Sequence, residues 1–166
     1  MTSELEPFCI RPIRPEDEEA LIDMVAHMTP EDRRMRFFAT IGGLSHMLAA
    51  RLSHMDGVRE VALVAQLHAS DAIVGVARFS ADAGGQNAEF AVTVRSDLKG
   101  KGIGWSLMEK LVEEAHRCRI AHLSGLVLRE NTTMLRFCRD FGFTIEADAD
   151  DPGTFRATLV LSKPDT

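Results

Sequence analysis

The sequence predicts an α/β (α+β) protein in which a mixed sheet of about seven strands packs against about four helices. Short segments with the apolar pattern of strands alternate with longer segments whose apolar residues recur at helical spacing. Their order along the chain, β-α-α-β-β-β-α-β-α-β-β, indicates a mixed sheet covered by helices. The 166 residues contain no repeat or linker-like segment, so we expect one domain that spans residues 1–166.

The first half of the chain is predicted to begin with a strand and two helices. Residues 8–14 are typical of a short strand, and Pro12 within them suits the edge of a sheet. Residues 15–28 begin with a proline and acidic residues and continue with one apolar stripe, which indicates a helix. Thr29 is the expected N-cap of the second helix and Pro30 its first residue, and a further helical stretch follows at 44–55.

The second half is predicted to alternate strands with two more helices. Residues 60–67 and 72–80 have the pattern of strands, and the polar turn between them suggests a hairpin. A strand at 88–95 leads through a glycine turn into a helix at about 103–117. The remaining predicted elements are a strand at 121–128, a helix at 131–141 that Gly142 ends, and two strands at 143–147 and 154–161.

The glycine turn, "KGKGIG", is the first feature that indicates a ligand. Glycine lets the backbone adopt a positive φ and approach another group closely. A helix N-terminus adds unpaired N–H groups and a partial positive charge. Together they form an anion site whose usual ligand is phosphate, and Lys99 and Lys101 add positive charge beside it. The alternative is a tight turn that binds no ligand.

Two familiar phosphate-binding motifs do not fit this turn. The triphosphate loop has the form G-x-x-x-x-G-K-[ST], and no lysine and hydroxyl residue follow Gly104. The dinucleotide fingerprint has the form G-x-G-x-x-G, but Trp105 stands at its third glycine when the motif begins at Gly100. The turn instead resembles the acyl-CoA-binding motif of the GNAT N-acetyltransferase superfamily, [RQ]-x-x-G-x-[GA], with Lys99 at the position of the usual arginine or glutamine.

The resemblance extends along nearly the whole chain, because the later helix begins at an asparagine and ends in "GF", as in that family. It implies a GNAT fold with a mostly antiparallel central sheet and acetyl-CoA as cosubstrate, without a metal. In the family, amides of the turn hold the CoA pyrophosphate, and the preceding strand pairs with pantetheine. Asn131 is also an ordinary N-cap candidate, and Trp105 packs either near the cofactor or within the fold. The implied cofactor-binding residues are Val92, Thr93, Val94, Lys99, Gly100, Lys101, Gly102, Ile103, Gly104, Trp105 and Asn131.

The segment "AEFAVTVRSDLKGKGIGWSLMEKL" is similar to the acetyltransferase domain of bacterial protein lysine acetyltransferases, as are two upstream segments. Those enzymes modify acetyl-CoA synthetase and related acyl-CoA synthetases. The resemblance therefore implies transfer to a protein lysine, with an acyl-CoA synthetase as the partner. The alternatives are a small-molecule amine, such as an amino acid, a polyamine or an antibiotic, and a CoA-binding regulatory module without turnover.

Acyl transfer needs a neutral amine, whereas a lysine amine with a pKa of about 10.4 is protonated at neutral pH. A general base must remove the proton, and Glu89 is the candidate because it matches the glutamate of the lysine acetyltransferases. Strand alternation places its side chain on the same face as Ala91 and Thr93. Between Ala88 and Phe90 we expect a part-buried carboxylate with a raised pKa. The alternative is a solvated strand glutamate.

The leaving thiolate often receives a proton from a tyrosine in this superfamily, seven positions after the helix asparagine. That position is Cys138 here, and the chain contains no tyrosine, so the usual general acid is missing. Cys138 either donates a proton, accepts the acetyl group in a two-step mechanism, or is a buried helix cysteine. Since a CoA thiol is acidic enough to leave as thiolate, turnover does not require the tyrosine. Backbone N–H groups near Val94 are expected to stabilise the oxyanion.

Composition excludes several other classes of protein. A net charge of −6 argues against broad nucleic-acid binding, which needs a basic surface. No apolar run reaches the roughly 18 residues of a spanning helix, and the N-terminus lacks the pattern of a signal peptide. The three cysteines and six histidines have no disulfide or metal-site spacing, so a cytoplasmic location without a bound metal is expected. The oligomeric state is left open.

Overall fold

The computed structural model describes residues 7–37, 51, 53, 56 and 59–161. Apart from single positions, the predicted helical stretch at 44–55 lies outside the described residues. The described strands are β1 (Phe8–Pro12), β2 (Glu60–Leu67), β3 (Ile73–Ala81), β4 (Asn87–Val94), β5 (His122–Leu128), β6 (Thr144–Ala147) and β7 (Thr154–Val160). The described α-helices are α1 (Glu18–Ala26), α2 (Pro30–Phe37), α3 (Ile103–Arg117) and α4 (Thr132–Phe141).

The seven strands form one mixed sheet in the order β1-β2-β3-β4-β5-β7-β6. All neighbours pair antiparallel except β4 and β5, which pair parallel. The predicted mixed, mostly antiparallel sheet is therefore confirmed. β1 lies at one edge of the sheet, where a proline removes no ladder hydrogen bond that the fold needs.

Helices cover both faces of the sheet and create two hydrophobic clusters. The larger cluster contains α3, whose buried Ile103, Leu107 and Leu111 recur at the spacing of one helical face. It lies against the side chains of Phe90 and Val92 of β4. The smaller cluster packs α1 against the opposite face, over residues of β2 and β3 that include Val64 and Val76. The sheet is thus the middle layer of the molecule.

Local signals in the sequence account for the ends of the helices beside the site. At the start of α2, Thr29 Oγ1 accepts a hydrogen bond from Asp32 N–H at 3.1 Å, as expected of an N-cap. Asn131 Oδ1 accepts from Met134 N–H at 3.2 Å in the same way at the start of α4. Gly142 ends α4 with a φ of 115°, which a residue with a side chain rarely adopts.

Candidate functional site

The candidate site lies where β4 and β5 separate. These two strands pair at only three positions, Asn87 with His122, Ala88 with Leu123 and Glu89 with Ser124. Beyond Glu89, neither strand pairs with the other, and the space between them continues into a cavity of about 630 Å³. The cavity is bordered by the second half of β4, the glycine turn and the first turns of α3 and α4.

The second half of β4 presents unpaired backbone groups to this cavity. On its other side β4 pairs with β3, and Arg95 N–H donates to Val74 C=O at 2.8 Å. Because hydrogen-bonded positions alternate in an antiparallel ladder, the odd-numbered residues bond to β3 and the even-numbered residues direct N–H and C=O groups the other way. The even-numbered residues beside the cavity that lie clear of the pair Glu89–Ser124 are Val92 and Val94. An extended ligand can therefore join the sheet here as an added strand, while the backbone of Thr93 is directed at β3.

The glycine turn brings bare backbone to the end of the same cavity. Gly100 and Gly102 have φ angles of 80° and 90°, and Gly102 is the N-cap of α3. Side chains are disfavoured at such angles, so the sequence "GKG" is required by the backbone path itself. Since α3 begins at once, its first N–H groups face an anion that enters the cavity. The predicted residues of this segment that line the cavity are Lys99, Gly100, Gly102, Ile103, Gly104 and Trp105, whereas Lys101 does not line it.

A carboxylate from α2 holds the turn in place. Asp32 accepts hydrogen bonds from Ser96 Oγ at 2.6 Å and from Lys99 Nζ at 3.0 Å. Burial opposes ionisation of Asp32, but the hydrogen bonds from Ser96 and Lys99 outweigh burial, and the pKa of Asp32 is lowered. The Lys99 side chain is therefore already paired with an anion of the protein itself, which leaves the backbone as the main source of an anion site.

Helix α2 also reaches the opposite wall. Arg34 Nη1 lies 2.6 Å from Glu130 Oε1, in the loop that precedes α4. Asp32 and Met35 of α2 line the cavity together with Met28, which precedes this helix. The helix is thus tied to both sides of the cavity, with Asp32 on the side of the glycine turn and Arg34 on the side of α4.

Glu89 lies at the point where the two strands begin to separate, and it lines the cavity. Its side chain shares a face of the sheet with Ser80, its cross-strand partner, on the side that carries α1. Glu89 is exposed, so the prediction of a part-buried carboxylate is wrong. The physical reason is that, among the described residues, the cluster around α1 covers Val64 and Val76 and includes no residue of β4.

The first turn of α3 meets the second half of α4 in an aromatic cluster at the cavity wall. The Trp105 ring lies 5.9 Å from the Phe137 ring and 4.8 Å from the Phe141 ring, measured between centroids. Trp105 retains 40 % of its surface exposed and borders the cavity. Packing within the fold and access to the cavity, which the sequence presented as alternatives for Trp105, therefore occur together. Asn131 likewise caps α4 and lines the cavity.

Cys138 lies on the buried face of α4 and is fully inaccessible. Burial raises the pKa of its thiol to about 12, so the thiol stays protonated near neutral pH. The residue belongs to the larger hydrophobic cluster and does not line the cavity. The prediction of a buried helix cysteine is confirmed.

Several lining residues were not identified from the sequence. The sequence did hold a signal for one of them, Gly125, because a glycine inside a strand often marks the close approach of a ligand or of another part of the chain. A Cβ at Gly125 would lie 2.9 Å from the ring of Phe90. Arg78 and Ser80 of β3 also line the cavity, and only the cross-strand register places them near Glu89.

Neither a metal-binding cluster nor a membrane-spanning helix occurs in the described part of the chain. Within the described part of the chain, no group of three or more His, Cys, Asp or Glu side chains is placed to hold a metal ion. Among the same residues, no helix has both the length and the apolar character needed to cross a bilayer.

Comparisons with known proteins agree with this geometry. Residues 25–143 match the model of the acetyltransferase (GNAT) family. An acetyltransferase of Pseudomonas aeruginosa is 31 % identical over 144 residues, which cover 86 % of this chain and 77 % of that protein. The crystal structure of the GNAT domain of S. lividans PAT has a TM-score of 0.85 at 27 % identity and covers 92 % of this chain and 89 % of its own. The PaiA N-acetyltransferase of Thermoplasma acidophilum, in complex with coenzyme A, shares the fold at 18 % identity, with a TM-score of 0.73 and coverage of 93 % and 99 %.

Proposed function

The chain belongs to the GNAT family of acetyltransferases, and from this membership we propose that it transfers the acetyl group of acetyl-CoA to the side-chain amine of a protein lysine, with Glu89 as general base. Acetyl-CoA is the acyl donor of this enzyme. The observation that carries the proposal is the separation of β4 from β5 directly after Glu89, beside a glycine turn that opens α3.

Each part of acetyl-CoA has a matching surface in the cavity. The pantetheine arm is proposed to pair with the unpaired N–H and C=O groups of Val92 and Val94, as an added strand. The pyrophosphate is proposed to bind the amides of the segment Gly100–Gly104 at the N-terminus of α3. Asn131 and Trp105 lie on the facing wall, where they would contact the remainder of the pantetheine arm and the nucleotide.

The reaction requires one bond to form and one to break. The amine nitrogen attacks the thioester carbon, and its proton passes to the Glu89 carboxylate directly or through water. The carbonyl oxygen becomes an oxyanion, to which we propose that N–H groups of β4 near Val94 donate. The carbon–sulfur bond then breaks, and CoA leaves as a thiolate that takes a proton from water.

Direct transfer is favoured over a two-step mechanism by the environment of Cys138. A nucleophilic cysteine acts as a thiolate, whereas burial raises the pKa of this thiol to about 12. Cys138 is also separated from the cavity, because it does not belong to its lining. For the same two reasons it is not proposed as the acid that replaces the missing tyrosine.

A lysine acceptor is proposed from the sequence resemblance to the protein lysine acetyltransferases, with an acyl-CoA synthetase as the protein partner in the cytoplasm. The fold similarity to the GNAT domain of S. lividans PAT supports the same choice. A small-molecule amine is the second candidate, because proton removal by Glu89 would serve either acceptor. A CoA-binding module without turnover is the third, and the presence of Glu89 beside the cavity argues against it.

The discriminating experiment measures release of the CoA thiol from acetyl-CoA. Purified acetyl-CoA synthetase is compared with a panel of amino acids, polyamines and aminoglycosides at equal amine concentration. We expect thiol release with the synthetase, together with an acetyl-lysine on the synthetase in peptide mass spectra. Release with small amines alone would establish the second candidate. Binding of acetyl-CoA without release from any acceptor would establish the third.

A further inference from the structure

A buried hydroxyl group at the cavity has no partner within the described part of the protein. Thr93 of β4 keeps only 8 % of its surface exposed, and among the described residues its Oγ1 finds no hydrogen-bond partner. Thr93 also lines the cavity. A buried hydroxyl without a partner costs free energy, so such a group in a native fold needs an explanation. Neither the pairing of β4 with β3 nor the proposed chemistry uses this side chain.

The side chain of Thr93 lies on the face of the sheet from which the amine reaches the general base. Strand alternation places it on the same face as Glu89 and Ala91, and its cross-strand partner Val76 belongs to the cluster on the side of α1. Oγ1 itself is inaccessible to solvent. Because Oγ1 and the methyl group are bonded to the same carbon, rotation about the Cα–Cβ bond exchanges them between staggered positions. A ligand in the cavity can therefore receive the hydroxyl without movement of the backbone.

The hydroxyl of Thr93 and the N–H group of Val94 are close neighbours along the chain. Only the Cβ, Cα and carbonyl carbon of Thr93 separate Oγ1 from the nitrogen of Val94, whose N–H is directed at the cavity. An oxygen atom that accepts from this N–H at about 2.9 Å is therefore also within reach of the hydroxyl. In the proposed reaction, that atom is the carbonyl oxygen of the thioester, which becomes an oxyanion.

We infer that the hydroxyl of Thr93 is a second donor to the oxyanion, which makes Thr93 a catalytic residue for acetyl transfer. Its O–H and the N–H near Val94 donate to the same oxygen, and neither gives up its proton. Because the fold already holds the hydroxyl away from water, no hydration shell has to leave it when charge develops on the oxygen. The inference rests on the proposed function, because it adds a residue to the same site.

The test separates contact with the carbonyl from turnover. Calorimetry measures the Kd of acetyl-CoA and of S-ethyl-CoA, a thioether in which a methylene group replaces the carbonyl. The ratio of the two Kd values reports contact with the carbonyl oxygen and requires no acceptor. Release of CoA thiol, with acetyl-CoA synthetase and with free L-lysine as acceptors, gives kcat.

Three variants are compared with the wild type. Thr93→Val replaces the hydroxyl with a methyl group of similar size, and Thr93→Ser keeps the hydroxyl. Thr144→Val on β6 is the matched control, because it also removes the hydroxyl of a strand threonine. The hydroxyl of Thr144 already donates to the backbone C=O of Thr158 at 3.2 Å, and this residue does not line the cavity.

We expect Thr93→Val to lower kcat by roughly 100- to 1,000-fold, as for the loss of one oxyanion-hole donor. Its preference for acetyl-CoA over S-ethyl-CoA should fall by about 2- to 10-fold, the effect of one hydrogen bond. Thr93→Ser should retain most of both quantities, and Thr144→Val should change neither. The Tm of ligand-free Thr93→Val should equal or exceed that of the wild type, because valine removes the unpaired hydroxyl. Unfolding would then not account for the lost activity.

Two results would overturn the inference. An unchanged preference for acetyl-CoA over S-ethyl-CoA in Thr93→Val would show that the hydroxyl does not contact the carbonyl oxygen, even if kcat falls. A wild-type kcat in Thr93→Val would show that the hydroxyl contributes nothing to the reaction. If the wild type itself releases no CoA thiol with either acceptor, the lysine acceptor of the proposed function fails. The ratio of Kd values then still decides whether the hydroxyl contacts the carbonyl.

Discussion

Glu89 is the residue on which the proposed proton transfer depends. The substitution Glu89→Gln keeps the shape of the side chain and removes its capacity to accept a proton. A positioned base typically contributes roughly 100- to 10,000-fold in rate, so kcat should fall by that order. Affinity for acetyl-CoA should persist, and it can be followed through the fluorescence of Trp105, the sole tryptophan of the chain.

Because Glu89 is exposed, the substitution Glu89→Gln should leave the stability of the fold nearly unchanged. An exposed strand glutamine costs little stability, so a loss of activity in Glu89→Gln cannot be attributed to unfolding. Glu109→Gln, an exposed substitution on α3, is the matched control and should retain wild-type kcat. A near-normal kcat in Glu89→Gln would mean that water or another side chain takes the proton.

Cys138 provides a prediction about the mechanism. If the buried thiol only packs, Cys138→Ala should retain most activity and lose about 1 kcal/mol of the free energy of unfolding. Intact-protein mass spectra of the wild type with acetyl-CoA alone should then show no acetyl adduct on the enzyme. A stoichiometric adduct that disappears on addition of amine, with an inactive Cys138→Ala, would replace direct transfer by a two-step mechanism.

The raised pKa of Cys138 also predicts a pH dependence of stability. Between the ordinary thiol pKa of about 8.5 and the folded value of about 12, the folded protein holds a proton that the unfolded chain has lost. Stability of the wild type should therefore fall as pH rises through this window. Cys138→Ala should lack that part of the slope, which denaturant unfolding at pH 8 and pH 10 would measure.

At the scale of elements, hydrogen bonds between α2 and the glycine turn are expected to stabilise the fold, and we call this contact the link. Asp32 joins the first turn of α2 to Ser96 and Lys99. Hydrogen bonds to charged groups contribute about 1.5–3 kcal/mol to stability. Because an asparagine keeps one acceptor oxygen, Asp32→Asn should lower the free energy of unfolding by about 1 kcal/mol at pH 7. Because the pKa of Asp32 is lowered on folding, its stabilisation is present above the unfolded value of about 4 and is lost below it.

Urea unfolding at pH 7 and at pH 3 measures this link. The free energy of unfolding should differ more between the wild type and Asp32→Asn at pH 7 than at pH 3. Asp140→Asn, an exposed substitution on α4, serves as control and should change stability by less than about 0.5 kcal/mol at either pH. Equal stability of Asp32→Asn and the wild type at pH 7 would show that the link contributes nothing to the fold.

Most element types and bounds could be predicted, because local signals determine them. The helix expected at 103–117 occupies Ile103–Arg117, with its glycine N-cap, and the helix expected at 131–141 is Thr132–Phe141, capped by Asn131. The strand expected at 8–14 ends earlier, at Pro12, because a 3-10 turn begins at Pro15. Such ends depend on side-chain packing as well as on caps, and periodicity alone does not resolve them.

At the scale of the whole molecule, cofactor binding should stabilise the fold. Acetyl-CoA at 100 times its Kd adds about 2.7 kcal/mol to the free energy of unfolding. For a chain of 166 residues this corresponds to a rise in Tm of roughly 5–11 °C. Gly102→Glu should abolish the rise, because it adds a negative charge and a side chain at the N-cap of α3, where φ is 90°.

A second variant separates the two effects of that substitution. Gly102→Ala introduces the backbone strain without the charge, so it should lower the Tm of the free protein and retain part of the rise with acetyl-CoA. Differential scanning fluorimetry with and without acetyl-CoA provides both values. A full rise in Gly102→Glu would exclude the glycine turn from the binding site.

The sequence by itself determined the mixed sheet, the glycine turn and the family, because periodicity, caps and a short glycine motif are local properties of the chain. Only the tertiary structure decided how the strands meet. The loss of pairing after Glu89 and Ser124, which creates the cavity, depends on residues that lie far apart in sequence. The exposure of Glu89 and the placement of Arg78 beside it follow from which helix covers which strands and from cross-strand register. A local pattern identifies the faces of each strand, but it cannot say what another element leaves uncovered.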